Sequence, residues 1–241
     1  MSRRTLIIGF SLFIGVAGQQ IGIASTTATN AGFLTAIYVV LVPVVGWALH
    51  RSKPSLAVVA ACAVSLAGAW MLEQGGEVQP WGFGDLLILA SDIFQALQII
   101  LVERFLARRG RPMLLSFLQC AAITALALPL ALVFEPLSWS GIEAAGPAIL
   151  YTGLLSGGIA FTLQIVAQRY TPAAEAAIIM SMESVFAALA GAWVLGDRLG
   201  PAGYIGCGLI LAGVVLVQVM PLLLRRNQLE QPGAPPQDAS P

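Results

Sequence analysis

The sequence predicts an all-α fold, a polytopic membrane helix bundle of about eight transmembrane helices, and three observations carry that expectation. Of the 241 residues, 58% are hydrophobic and only 10% are charged, against about 25% charged in an ordinary soluble domain. Eight apolar stretches, residues 5–23, 28–49, 55–72, 82–102, 113–134, 145–167, 172–195 and 201–223, approach the roughly 20 residues that a helix needs to cross a bilayer core about 30 Å thick. Lys and Arg fall almost entirely in alternate loops. Strands are excluded because the stretches lack the alternation of a barrel strand, and a backbone in lipid must satisfy its polar groups within the segment.

The elements follow in chain order. Residues 5–23 come after Arg3 and Arg4, and Leu6 to Val16 followed by Ala17 and Gly18 has the look of a cleavable signal peptide. Gln19 and Gln20 interrupt that pattern, and the internal repeat described below needs the segment as a helix. Helices 28–49 and 55–72 are joined by the short loop Arg51-Ser52-Lys53-Pro54. His50, the one histidine, lies beside that basic loop and is read as a loop residue, not a metal ligand or a base. Helix 82–102 carries Asp92, and helices 113–134 and 145–167 follow. Thr171 as N-cap and Pro172 as first helical residue predict the start of helix 172–195. Gly196 to Gly200 form the joint to 201–223. The tail 224–241, with its run Gln231-Pro-Gly-Ala-Pro-Pro236, has nothing to bury and is expected to be disordered.

Charge sets the orientation. Arg3, Arg4, Arg51, Lys53, Arg104, Arg108, Arg109, Arg111, Arg169, Arg225 and Arg226 lie on the side of the N-terminus, and Arg198 alone lies on the other. This places both termini in the cytoplasm of a multi-pass protein of the cell (inner or plasma) membrane. It also checks the helix count, because one helix more or fewer would scramble every later loop.

Composition excludes several functions. The net charge is zero, so a nucleic-acid partner is not expected. Cys62, Cys120 and Cys207 lie within apolar stretches and are read as small packing residues. No phosphate-binding loop, HExxH or GxSxG is present. No enzyme activity, cofactor or metal is therefore expected.

The chain matches itself at an offset of 145 residues. From residue 15 to 72 no gap is needed, and 11 of 58 positions are identical, among them Gln19/Gln164, Thr26/Thr171, Gly46/Gly191, Cys62/Cys207 and Leu66-Ala67-Gly68 against Leu211-Ala212-Gly213. Repeats of this kind place a substrate site between the halves of a transporter. The copies are unequal. Residues 1–72 hold three helices of the first and 80–223 hold five of the second, a 3+5 form of a 5+5 plan. Five helices per copy reverse the next copy, so the halves are expected to be inverted. The two helices absent from the first copy point to an incomplete start, or to a natural short form completed by a partner or a second copy in a homodimer.

Polar residues inside the helices are the candidate site. A charge at the helix centre costs at least about 2.5 kcal/mol, so it should face protein or water. Glu183 lies 11 residues beyond Pro172, about 16 Å along a helix, and Asp92 lies 9 beyond Phe83, about 14 Å. Both are candidate cavity and proton-coupling groups. A structural hydrogen bond is the alternative for Glu183, and Ser91 and Gln95 offer local partners to Asp92. Tyr38 is the repeat counterpart of Glu183 and a substrate candidate, although a buried Tyr with a satisfied hydroxyl is the commoner arrangement. Gln19 and Gln164, matched by the repeat, are further cavity candidates, whereas interhelical bonds are the ordinary role of Gln95, Gln98 and Gln119. Glu175 suits the positive end of its helix. Gly18/Gly22, Gly153/Gly157 and Gly208/Ala212 have the spacing that lets helices approach closely.

Residues 166–189 (VAQRYTPAAEAAIIMSMESVFAAL), the turn Leu195-Gly196-Asp197-Arg198-Leu199-Gly200 and Gly206 with Leu209 to Gly213 resemble the second EamA domain of the drug/metabolite transporter superfamily. Residues 84–104 resemble the start of that domain, and Ala31 to Thr35 through Val42-Pro43 resemble the first. The resemblance implies ten helices in two inverted repeats, a central cavity lined in part by the two absent helices, and alternating-access transport of small organic solutes such as metabolites, amino acids or drugs, often by export. Two departures from the family pattern are Glu183-Ser184 in place of Glu-Pro, which removes a proline kink, and Gly196-Asp197-Arg198 in place of Gly-Glu-Arg. The rival to a transporter is a membrane interaction or assembly protein.

Overall fold

In a computed structural model, residues 3–51, 53–73, 80–134, 138–195 and 199–229 are described, and among them every regular element is helical. Among the described residues, eight helices are long and apolar enough to cross a membrane. They are α1 (Arg3–Ile23), α2 (Ala28–Ala36 continued as Tyr38–His50), α3 (Leu56–Glu73), α4 (Phe83–Arg109), α5 (Pro112–Phe134), α6 (Trp139–Leu150, π-helical Tyr151–Ala160, then Phe161–Ala167), α7 (Ala173–Met180 and Met182–Ala190, ending in the π-turn Gly191–Leu195) and α8 (Pro201–Leu229).

Several boundaries differ from the sequence reading. Helix α4 runs on to Arg109 and closes on Gly110 in the left-handed region. Arg108 and Arg109 in its last turn complement the helix dipole, and they carry the helix past the apolar segment. Helix α6 starts at Trp139, with Ser138 as its cap, six residues before the expected 145. Helix α8 keeps its backbone bonds to Leu229, so the tail expected from 224 begins as helix, and 230–241 lie outside the described residues. Thr171 does not cap α7. Pro172 takes the cap position with ψ 148° and no side-chain cap bond, and Ala173 is the first helical residue. The working cap of α2 is Thr27, whose Oγ1 accepts from the Asn30 amide at 3.1 Å. The joint 196–198, with Arg198, lies outside the described residues.

The most extensive helix pair is α3 with α8, the two helices related by the 145-residue offset. Their contacts run antiparallel. A methyl group on Gly68 would lie 2.7 Å from the Gly206 carbonyl and 2.8 Å from the Ile210 amide. One on Gly213 would press on Ser65 and lie 3.0 Å from the Ala61 carbonyl. Subtracting 145 turns Gly206 into 61, Ile210 into 65 and Gly213 into 68, so each contact is the mirror of another under the repeat. Such self-complementary pairing is the mark of a two-fold axis between the copies, and antiparallel partners require that axis to cross the helices and not to run along them. Lipid gives no hydrophobic drive to pair helices, so backbone approach and van der Waals packing hold this interface.

Helix α1 packs antiparallel on α4 in the same manner. Gly18 faces Ser91, and a methyl on Gly22 would lie 2.8 Å from the Gly84 carbonyl. The other small-residue pairs do not make such close backbone approaches. A methyl group on Gly153 or Gly208 would meet nothing within 4 Å, and Gly157 meets α5 through its carbonyl, 3.9 Å from Cys120 Sγ. Spacing alone does not tell which face of a helix meets a neighbour.

Both α2 and α7 are interrupted mid-span, at Ile37 and at Ser181. Shifted by 145, Ile37 falls on Met182, one residue from the second break. At Ile37 the amide bonds three residues back, to Leu34, a tightened 3₁₀-like turn, and at Ser181 the amide is shared between the carbonyls three and four residues back, Ile178 and Ala177. The absent proline at 184 therefore does not straighten α7. Ser181 interrupts it instead, with its hydroxyl donating to the Ile178 carbonyl at 2.6 Å. In α2, Pro43 cannot donate to the carbonyl of Val39, and the Cys62 thiol takes that place at 3.4 Å. Cys62 is thus a donor to a freed carbonyl and not only a small packing residue.

Candidate functional site

The breaks in α2 and α7 flank the candidate site. A cavity of about 760 Å³ opens between the first half of α2 and the second half of α7, with the ends of α1 and α3 and Ile210 of α8 as its remaining walls. Its lining includes Thr35, Tyr38, Glu73, Glu183 and Ser184, set among Ile23, Leu72, Ile210 and several alanines. The structure thereby brings Tyr38 and its repeat counterpart Glu183 to one space, each one or two residues past the break in its helix.

Toward the other end the same pair of helices is packed together, leaving only a smaller recess of about 250 Å³ bordered by His50, Lys53, Glu103 and Pro172. The second half of α2 packs on the first half of α7. Tyr38, Val39, Val42, Ala173, Ala177 and Ile178 form one buried cluster with Ala96, Ile99 and Ile100 of α4. The repeat relates the sealed contact to the open one: Val42 and Pro43 correspond to Ala187 and Ala188, which line the cavity. The two-fold is therefore obeyed by the α3–α8 pair and broken by α2 and α7, which are closed toward the Arg- and Lys-rich loops and open toward the opposite face.

Tyr38 stands at the boundary between cavity and seal. It is 3% exposed, and its hydroxyl has no hydrogen-bond partner. That differs from the satisfied hydroxyl of an ordinary packing tyrosine. It lies within electrostatic reach of Glu183 on the cavity side and of Asp92 on α4. Asp92 is wholly buried, and neither carboxyl oxygen has a partner. The local partners expected for it are engaged elsewhere. Ser91 donates to the Ile88 carbonyl at 2.7 Å, and Gln95 donates to Gln19 at 3.0 Å. A buried carboxyl without a partner costs stability, on the order of 1–3 kcal/mol. Asp92→Ala should accordingly melt at higher temperature than the native chain, by a few degrees, with transport reduced if the carboxyl serves function. A lower melting temperature would show that Asp92 is held by a partner after all.

Gln19 reaches the cavity indirectly. It accepts from Gln95 and donates to Thr35 Oγ1 at 3.2 Å, which ties α4, α1 and the cavity wall together. Gln164 is half-buried and is not among the cavity lining, so the repeat match does not carry it there. Gln98 donates to Gln119 at 2.8 Å, an interhelical bond of the ordinary kind. Glu175 sits in the first turn of α7.

Glu73 is a lining residue that sequence reasoning missed. It ends α3, and its carboxyl lies over Gly32 of α2, where a methyl group would come within 2.8 Å of Cδ. As the terminal residue of an apolar stretch it reads as an interfacial charge, and only the inward packing of that helix end directs it to the cavity.

Comparison with known proteins fits this architecture. The EamA-like transporter family matches residues 82–219. An uncharacterized transporter of Archaeoglobus fulgidus is 33% identical over 212 residues, covering 88% of this chain and 67% of that protein. The uncharacterized transporter YwfM of Bacillus subtilis is 24% identical over 176 residues, covering 73% and 59%. The chain thus spans about two thirds of the first relative and less of the second. One solved crystal structure, 22% identical, superposes with a TM-score of 0.77 over 97% of this chain and 79% of that one, a likeness of fold.

Proposed function

Because the chain belongs to the EamA-like transporter family, we propose that it exports small organic solutes across the cell membrane by alternating access, through the cavity between α2 and α7. The observation that supports this reading is the broken symmetry of that pair. Helix α2 and helix α7 are repeat counterparts, open on one side of their mid-span breaks and packed on the other. An inverted repeat has two equivalent ways to be asymmetric, and exchanging them moves the opening to the other face. The breaks at Ile37 and Ser181 are the natural places for the half-helices to swing, since short 3₁₀ turns inside a helix often mark hinges. Both termini are placed in the cytoplasm on the strength of the Lys/Arg split. A reporter fused after Leu229 and another between α3 and α4 should then report opposite compartments.

The test is flux into vesicles containing the purified chain, using counterflow of radiolabelled amino acids and amines. It is paired with thiol labelling in a background lacking Cys62, Cys120 and Cys207. Ser184→Cys should react with an impermeant thiol reagent from the face opposite the termini, and Val42→Cys should be protected. Flux no greater than that of empty vesicles for the whole panel, with Ser184→Cys unreactive, would overturn the reading.

A further inference from the structure

The charges around the cavity are of one sign. Glu73 and Glu183 line it, and among the described residues no Lys, Arg or His does. Among the described residues neither carboxylate has an ion-pair partner or a hydrogen-bonding side chain. Tyr38 is also among the lining residues, with its hydroxyl buried and unpartnered behind the wall. Two carboxyl groups thus border one space with the hydroxyl residues Thr35 and Ser184, and much of the remaining wall is apolar or small: Ile23, Leu72 and Ile210 with Ala31, Ala69 and Ala187.

We propose that the cavity binds an organic cation, its ammonium-type charge held by Glu73 and Glu183 beside Tyr38 and its apolar body resting on Ile23, Leu72 and Ile210. The assignment rests on the transport reading, in which this cavity is the solute site. Unneutralised carboxylates in a space walled by low-dielectric protein attract a cation far more strongly than they would in water. The same field repels an anion, and an uncharged solute of equal shape gains nothing from it. The volume of about 760 Å³ falls within the range of small-molecule sites. Gly32 keeps the Glu73 carboxyl in place, because any side chain there would displace it.

The experiment is equilibrium binding to the purified full chain in detergent with three probes of similar shape: benzyltrimethylammonium, its neutral isostere neopentylbenzene, and phenylacetate. The cation should bind at least about tenfold more tightly than the neutral isostere, and phenylacetate should not saturate. Glu73→Gln and Glu183→Gln should each weaken cation binding about tenfold and leave binding of the neutral isostere unchanged, which certifies that the variants are folded. Glu143→Gln, an exposed carboxyl on α6, should bind the cation like the native chain. Equal binding of cation and neutral isostere, preference for the anion, or native cation affinity in both Gln variants would overturn the proposal. Vesicle flux with the same probes separates the two readings. Flux indifferent to charge would sink the cation assignment and leave the transporter. Tight, Glu-dependent cation binding without flux would sink the transporter and leave the cation site.

Discussion

Gly206→Val is expected to abolish accumulation of folded protein, whereas Gly208→Ala, two residues away on the same helix, is expected to be neutral or slightly stabilising. At Gly206 even a single methyl group would lie 2.6 Å from both the Gly68 carbonyl and the Leu72 amide, and 3.0 Å from Leu72 Cα. All three are backbone atoms of α3, so relief requires the most extensive helix pair in the molecule to separate. Overpacking commonly costs about 1–3 kcal/mol where side chains can adjust, and here no side chain stands in the way to move. Gly68→Val should behave alike from the other side of the interface. At Gly208 nothing lies within 4 Å, and replacing a helical glycine with alanine gains up to about 1 kcal/mol. Melting of the detergent-solubilised variants, read by size-exclusion fluorescence of a fused reporter, decides the matter. Equal behaviour of the two positions would contradict the α3–α8 contact.

A disulfide between Val42→Cys and Ala177→Cys, in a background without native cysteines, should bring solute flux down to the level of empty vesicles. Both residues belong to the cluster that seals α2 against α7. Alternating access requires that cluster to part when the cavity closes on the other side, and a covalent link forbids it. The cavity itself is untouched, so binding of solute at equilibrium should persist in the cross-linked protein. Reductant should restore flux, and each single variant should transport throughout. Undiminished flux in the fully cross-linked protein would mean that α2 and α7 do not part during transport.

Glu183 and Tyr38 were legible as a pair because the 145-residue offset superposes them, and a carboxylate near mid-span must find protein or water. The same logic misled at Gln164, whose match to Gln19 did not take it to the cavity. A repeat preserves helix order, but the rotation of a half-helix past its break decides where a side chain points. Asp92 was legible as a buried acid, yet its lack of partners was not, since Ser91 and Gln95 stood close in sequence and were claimed by other groups.

The sequence by itself determined eight helices long and apolar enough to span a membrane among the described residues, and the 145-residue match between two parts of the chain. These follow from local chemistry: an apolar run of about 20 residues in lipid has no other way to satisfy its backbone, and residue spacing along the chain is unaffected by folding. Only the tertiary structure decided which glycines meet backbone, that Glu73 turns inward over Gly32, and that α2 and α7 are packed on one side of their breaks and apart on the other. In a membrane the lipid-facing and protein-facing sides of a helix are both apolar, so composition does not distinguish them. Close packing of small residues across helices makes that choice, and it exists only once the helices have met.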